Sequence, residues 1–451
     1  MIFQYCKNFW FLIFLLAFGI FSESPKDLEN ANTLENPKRE FELSIEDCIQ
    51  MGEKRNINIL STKIDLDIAR AREIQAGLWR NPSVNILRSL IPFHSNYNQT
   101  SSGGPIQLDV LVNYPLDLSG KIRTARNLAE GQKFLQELVL YGVIYETNYN
   151  IYATYTDLVL QESLKKLYRN REDSLTRLVR IIQNRIGGAG LQPLLLTRAE
   201  LALSNAKIDS QNVSITAEIA RKNLALLLAF EKSPNIKPTS ALRDFVLKDA
   251  EEFDASEKKM KANYPPFLAA KMIVEVANRN IQFNYAKVWS DFNFFLGGSS
   301  QSGVRANPGD PTSQPLPGER SWAVGLTIPL PIFDRNQGEI SASKLQREQA
   351  ELNLRQFEIT IEKDLKNTLE KIHAYYTIIG EMERSQLKKA ETVLTTQQKL
   401  FGTGGTNLLE FFDAVTAYTT TLSTYYTTIS EYRKNVAKYI FLTGGIPENS
   451  K

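Results

Sequence analysis

The chain states one structural plan twice. Residues 43–230 and 264–445 both read as helix, strand, strand, very long helix, helix, and their landmarks match at a nearly constant offset. Leu116-Asp117-Leu118 after Pro115 answers Leu330-Pro331-Ile332 after Pro329. The turn Gly187-Gly188-Ala189-Gly190 answers Gly402-Thr403-Gly404-Gly405. Each unit couples short alternating strands to helices longer than a globular core can use, so an elongated assembly is expected rather than a pocket. The expected plan is a signal peptide over 1–22, an N-terminal linker over 23–42, the first repeat over 43–230, a linker over 231–263, the second repeat over 264–445 and a tail over 446–451.

With 451 residues, 43% hydrophobic and 23% charged, the composition is that of a folded chain. The net charge of +3 comes without a basic block, which sets nucleic acid aside as a partner. At the N-terminus Lys7 precedes an apolar run from Phe9 to Phe21, with Ser22 and Ser24 following, the pattern of an export signal. Cys6 falls inside that signal. Cys48 alone is left, too few for a disulfide framework, and it reads as a small buried residue.

Beyond residue 22 no apolar stretch has the length of a transmembrane helix, so entry into a membrane would require a closed β-barrel. Ile106, Leu108, Val110 and Val112 alternate with Gln107, Asp109 and Asn113, with Leu111 breaking the pattern. Trp322, Val324, Leu326 and Ile328 alternate with Ser321, Ala323, Gly325 and Thr327. A greasy face and a polar or small face suit a lipid-facing wall and a wet lumen. Strands over Ser83 to Ile91 and Trp289 to Leu296 would complete two hairpins, with tips over His94 to Gly104 and Gly297 to Arg320. A soluble sheet would show the same alternation. Four strands cannot close a membrane barrel, whose smallest members have about eight, so a barrel would need several chains.

A capping box at Ser44 and Asp47 opens a helix expected to run to about Arg80. From Ser119 to Ile186 there is no proline, which predicts a rod of roughly 100 Å. Its twin runs from Gln337 to Phe401, and each rod reverses at a Gly-rich turn into a shorter helix, over 191–230 and 406–442. Tyr141, Tyr145, Tyr149, Tyr152 and Tyr155 share one helical face and read as a packing seam. The Thr-rich stretch Thr416 to Thr428 either faces water or bonds its hydroxyls to the preceding turn.

Catalytic signals are absent. Gly120-Lys121 fails the phosphate-loop pattern because Pro115 and Ile122 stand where Gly and Ser or Thr are needed. His94 and His373 fall in different predicted compartments, and no metal-ligand spacing occurs, so no enzyme, cofactor or structural metal is expected; His373 reads as a helix-surface or packing residue.

The element order, with Leu43-Ser44-Ile45-Glu46-Asp47 opening the first helix and Asn81-Pro82-Ser83 leading into the first strand, resembles the TolC-type outer-membrane efflux family. The resemblance covers residues 41–445. The run Ile328-Pro329-Leu330-Pro331-Ile332-Phe333-Asp334-Arg335-Asn336-Gln337-Gly338 is similar to the cobalt-zinc-cadmium branch. The resemblance implies a mostly α chain with a small β part, forming a homotrimer whose twelve strands make one outer-membrane barrel and whose helices make an α-barrel across the periplasm. Residues 231–263 would join a belt around the tunnel's middle. It places a periplasmic gate at Glu410, Asp413 and Phe401, and adaptor docking at the hairpin tips Gly187, Gly188, Gly190, Gly402, Gly404 and Gly405. Thr406 stands where some members carry a gate-locking Arg. The implied partners are a periplasmic adaptor and an inner-membrane pump of RND type, with metal ions or toxic small molecules as cargo. A type I protein secretion duct and a soluble periplasmic coiled-coil adaptor or scaffold are the alternatives.

Overall fold

The computed structural model describes residues 40–89, 106–186, 193–231, 234–253, 257–303, 306, 312, 314–315, 317–403 and 407–445. The export signal, the loop at His94 to Gly104, and Gly187, Gly188, Gly190, Gly404, Gly405 and Thr406 lie outside these residues.

Strand β1 (Glu40–Leu43) leads into helices α1 (Ile45–Arg55) and α2 (Ile57–Ala76), then strands β2 (Ser83–Ser89) and β3 (Gln107–Leu116). Helix α3 (Lys121–Ile186) turns back into α4 (Pro193–Leu227). Strand β4 (Asn235–Pro238), a 3₁₀ turn (Ala250–Glu252) and α5 (Glu257–Asn263) follow. Then come α6 (Pro265–Ala286), β5 (Phe292–Gln301), β6 (Glu319–Thr327), α7 (Gln337–Glu381), a π-turn (Met382–Gln386), α8 (Leu387–Thr403) and α9 (Leu408–Leu442).

Local chemistry explains where these elements start. Ser44 and Asp47 make the expected capping box, each side chain bonding the other's backbone N–H at 3.1 Å. The single helix expected up to Arg80 is instead two, broken at Asn56. That side chain accepts from the Asn58 and Ile59 N–H groups, so it restarts the helix, and its amide donates to Leu227 O at 2.9 Å. Gly120, at φ +73°, turns the chain so that Asp117 accepts from the Lys121 and Ile122 N–H groups at 2.9 and 2.6 Å. The Gly-Lys pair therefore belongs to a helix start, and α3 runs on for 66 residues, roughly 100 Å at about 1.5 Å each.

The strands differ from expectation at their edges. The third begins at Phe292 rather than Trp289 and continues to Gln301, taking Gly297 and Gly298 into the sheet. The sequence alone puts both glycines in a loop. Pairing explains the change: β5 lies antiparallel between β3 and β6, and a Cβ on Gly297 would come within 2.5 Å of Val110 O. The sheet order is β2-β3-β5-β6, and the β3·β5 pair joins the two hairpins. A second sheet went unforeseen: β1 pairs parallel with β4, fixing Glu40–Leu43 against the 231–263 segment.

The main core lies where the long helices meet this ribbon. Cys48, Ile151, Tyr155, Leu224, Leu228, Ile236, Met260, Ile372, Ile379 and Ile429 are fully buried there. Burial pushes the Cys48 thiol up to about 12, which keeps it protonated and inert. The tyrosine seam packs largely as expected. Tyr155 donates to Leu43 O at 3.0 Å, Tyr145 donates to Gly444 O at 3.0 Å, and Tyr149 lies 5.5 Å from Phe441, while Tyr141 stays exposed. The hydroxyls of Thr419, Thr427 and Thr428 bond the preceding turn, while Thr416, Thr420, Thr424 and Thr427 are exposed, so both features expected of that stretch occur in it. A second core, with Leu175, Leu178, Ile182, Leu408, Phe411 and Val415, holds the far end of the two helical hairpins together.

Candidate functional site

Strand register sorts the sheet into two faces. Val84 pairs with Val112, Val112 with Leu296 and Leu296 with Val324, making one apolar row across all four strands. The row of Tyr114, Phe294 and Leu326 and the row of Ile86, Val110, Gly298 and Trp322 flank it on the same face. Trp322 is 86% exposed and Ile86 72%, although both are large and apolar. The opposite face carries Asn85, Asp109, Asn113, Ser299, Ser321, Ala323, Gly325 and Thr327, together with the larger apolar residues Leu87, Leu111 and Phe295. Both sequence-derived apolar sets thus lie on one side. Strands β2 and β6 form the sheet's edges, with no further strand beside either among the described residues. No described helix is long and apolar enough to cross a membrane.

At the far end of the helices, Asn407 caps α9 by accepting from Glu410 N–H at 3.0 Å, and its amide donates to Glu410 Oε1 at 3.1 Å. Glu410 and Asp413 are both exposed and three residues apart, so they share a face. Phe401 lies on α8 and is half-buried, its ring 5.4 Å from Phe411 and packed against the second core, where it removes apolar area from water. Gly402 falls within α8.

Two polar links at the helices' waist had no sequence signal. Arg243 Nε donates to Glu383 Oε1 at 2.8 Å, and Tyr425 OH donates to the same oxygen at 2.6 Å. Arg243 holds the Glu383 carboxyl below its usual range, while burial together with that carboxylate pushes the Tyr425 phenol up to about 12. His373, far from the predicted sites, sits with Nδ1 2.8 Å from Asp249 Oδ1. These pairs join residues far apart in the chain, and no spacing could have revealed them. A cavity of about 730 Å³ opens between α3, α8 and α9, lined in part by Lys166, Arg171, Arg243, Tyr418 and Tyr426. No group of three or more His, Cys, Asp or Glu suited to a metal ion exists among the described residues.

Residues 258–445 match the family model described as outer membrane efflux protein. The chain is similar to the cobalt-zinc-cadmium resistance protein CzcC of Cupriavidus metallidurans, 21% identical over 372 residues that span 82% of this chain and 83% of that one. Its fold is similar to that of CusC, whose crystal structures concern folding and transmembrane channel formation, with a TM-score of 0.69 at 15% identity over 95% of this chain and 99% of the other. The open-state outer membrane channel MtrE of Neisseria gonorrhoeae gives a TM-score of 0.70 at 17% identity over 90% of each chain. Over residues 258–445 the chain thus matches the outer membrane efflux protein family, and over nearly its whole length it has the fold of outer-membrane efflux channels.

Proposed function

We propose that three copies of the chain form a passive exit duct for metal cations. The observation that carries this reading is the four-stranded sheet, continuously greasy on one face, richer in polar and small residues on the other despite Leu87, Leu111 and Phe295, and open at both edges. Three such sheets joined edge to edge give twelve strands, enough to enclose water while satisfying every backbone group in lipid. The helices supply an independent argument. Leu194, Leu201, Ile208 and Ile215 on α4, and Leu345, Leu352 and Ile359 on α7, are exposed at every seventh residue. That spacing fits a helix of another copy, wound with a left-handed twist.

The duct would be a conduit rather than a catalyst. A periplasmic adaptor would dock at the hairpin tips, where Gly187, Gly188, Gly190, Gly402, Gly404 and Gly405 fall in the sequence, and an inner-membrane pump of RND type would supply free energy. Glu410 and Asp413, tripled by symmetry, would form acid rings that favour cations at the tip. Residues 43–230 and 264–445 would act as two copies of one unit. Similarity to a cobalt-zinc-cadmium resistance protein supports divalent metal ions as the cargo.

Purified protein tests this directly. It should run as a trimer in native mass spectrometry and conduct ions in planar bilayers with a preference for cations. A non-conducting monomer ends the duct reading. Glu410→Gln with Asp413→Asn should lower the cation preference without lowering conductance. Deletion of the gene should sensitise cells to cobalt, zinc or cadmium salts, and unchanged tolerance to all three rejects the metal assignment.

A further inference from the structure

The cavity of about 730 Å³ at the waist is walled by residues of a single chain. Faces of α3 and α9 form its long sides: Val159, Lys166 and Ser174 recur at helical spacing on one, and Val415, Leu422 and Ile429 on the other. Val159 and Ile429 belong to the main core, while Val415 packs with Leu175 in the second, so the two helices run past each other in opposite directions. Lys166 therefore stands across from Leu422 near the cavity's middle. Tyr426 lies about one turn towards the waist from Leu422, and Tyr418 about one turn towards the tip. Leu242, from the segment after β4, adds apolar wall at the waist end.

Four of the described residues lining the cavity are charged, and three of them are already matched. Glu162 bonds Arg221 at 2.6 Å, Arg171 bonds Asp209 at 2.9 Å and Arg243 bonds Glu383 at 2.8 Å. Lys166 is exposed and makes no ion pair among the described residues. The half-buried phenols of Tyr418 and Tyr426 likewise have no hydrogen-bond partner there. Burial raises both pKa values, with Glu391 adding to the rise at Tyr418 and Tyr418 to that at Tyr426, so each hydroxyl keeps its proton to donate. One unmatched ammonium calls for a single negative charge, and two neutral O–H donors beside it suit a group with several acceptor positions on two oxygens, which is a carboxylate. Apolar walls on either side favour a ligand whose remaining body is apolar.

We propose that this cavity binds a small apolar molecule bearing one carboxylate, of the class of aromatic acids. Its carboxylate sits on Lys166 and accepts from Tyr418 and Tyr426, and its apolar body lies along Leu422 towards Ile429 and Leu242. Because Arg243 lines the same cavity while holding Glu383, an occupant braces the waist of the helices. The site is complete within one chain, so it stands or falls apart from the trimeric duct.

Full-length protein in lipid nanodiscs, dialysed against naphthalene-2-carboxylate, tests the site by the probe bound in excess of empty nanodiscs. Wild type should bind one molecule per chain saturably, and the neutral naphthalene-2-carboxamide should bind about tenfold more weakly. Lys166→Gln should weaken binding of the acid about tenfold, and Tyr418→Phe with Tyr426→Phe severalfold, whereas Lys165→Gln, beside Glu162 but not lining the cavity, should bind as wild type. Millimolar inorganic phosphate should leave the probe in place. Equal affinity for acid and amide overturns the carboxylate contact without any variant, and equal affinity in wild type and Lys166→Gln overturns Lys166 as its anchor. Displacement by phosphate overturns the apolar contact, and binding that does not saturate overturns the site itself.

Discussion

Tyr425 donates its hydroxyl to Glu383 Oε1 at 2.6 Å, and Glu383 lies within the π-turn Met382–Gln386 that interrupts the second rod. The Leu387 N–H reaches back to Met382 O, five residues away, so the turn carries one residue more than the surrounding helix. From the other side Arg243, in the segment after β4, holds the same carboxylate. One carboxylate thus ties an inter-repeat segment, an irregular turn and the returning helix α9 together at the waist. A π-turn is a place where a helix changes its winding, and the clasp ties it to α9 and to the segment after β4.

Breaking the clasp should cost stability in a pH-dependent way. Arg243 lowers the Glu383 pKa, so this stabilisation is complete above the ordinary carboxyl range and is lost as pH falls through the folded-state value. Glu383→Gln should reduce stability by about 1 kcal/mol at neutral pH, modest because both partners are partly exposed. The gap between variant and wild type, read by urea unfolding of the helical circular dichroism signal, should narrow between neutral pH and a pH below the ordinary carboxyl range. A gap of equal size at both pH values rules the clasp out as its source.

His373 gives the opposite sign. Its bond to Asp249 raises the imidazole pKa above 6.5, with Glu251 adding a smaller pull. The link is complete below the ordinary value and loosens as pH rises through the raised one, so alkalinisation should free the 3₁₀ turn from α7. The chain holds only 2 histidines, so histidine-labelled NMR can follow each ring. The His373 midpoint should lie above 6.5 and return towards it in Asp249→Asn. An unshifted midpoint in wild type removes the contact from solution.

Sequence periodicity was a good guide wherever one element repeats a pattern along itself. The rods, the shorter helices paired with them and the greasy side of Trp322, Val324 and Leu326 were all legible, because the side-chain periods of helix and strand are set by local geometry. Contacts between distant segments were not. The β1·β4 ribbon is built from two four-residue strands, too short to carry a pattern, and Arg243 meets Glu383 across 140 residues. The resemblance puts Phe401 at the gate; that its ring packs on Phe411 depends on the folded hairpin, which no spacing shows. Asn56 carries no sequence signal because asparagine inside a helical pattern is ordinary; its role lies in the N–H groups it caps and the Leu227 carbonyl it reaches.

That bond makes Asn56 a graded test of the break between α1 and α2. Asn56→Ala removes the cap on α2 and leaves Leu227 O short of a donor, a combined loss of about 1–3 kcal/mol. Asn56→Asp keeps an oxygen for the Asn58 and Ile59 N–H groups but cannot donate to Leu227. Thermal unfolding should therefore rank wild type above Asp and Asp above Ala. If Asp matches wild type, the contact to Leu227 adds nothing.

The last prediction concerns which face of the sheet meets lipid, and adjacent residues on one strand decide it. Val324 lies in the apolar row with Leu296 and Val112, while Ala323 pairs with Gly297 on the polar face. A lysine placed deep in the apolar band costs about 2–4 kcal/mol, whereas one that faces water costs little. Val324→Lys should therefore lower the fraction of protein that folds into lipid vesicles, measured by protease protection of the strands, and Ala323→Lys should leave that fraction near wild type. The lumen variant should instead reduce cation conductance, since each copy adds a positive charge to the same level of the pore. Equal insertion defects in the two variants would mean that neither face is wet. A defect confined to Ala323→Lys would turn the sheet around, putting the apolar row inside.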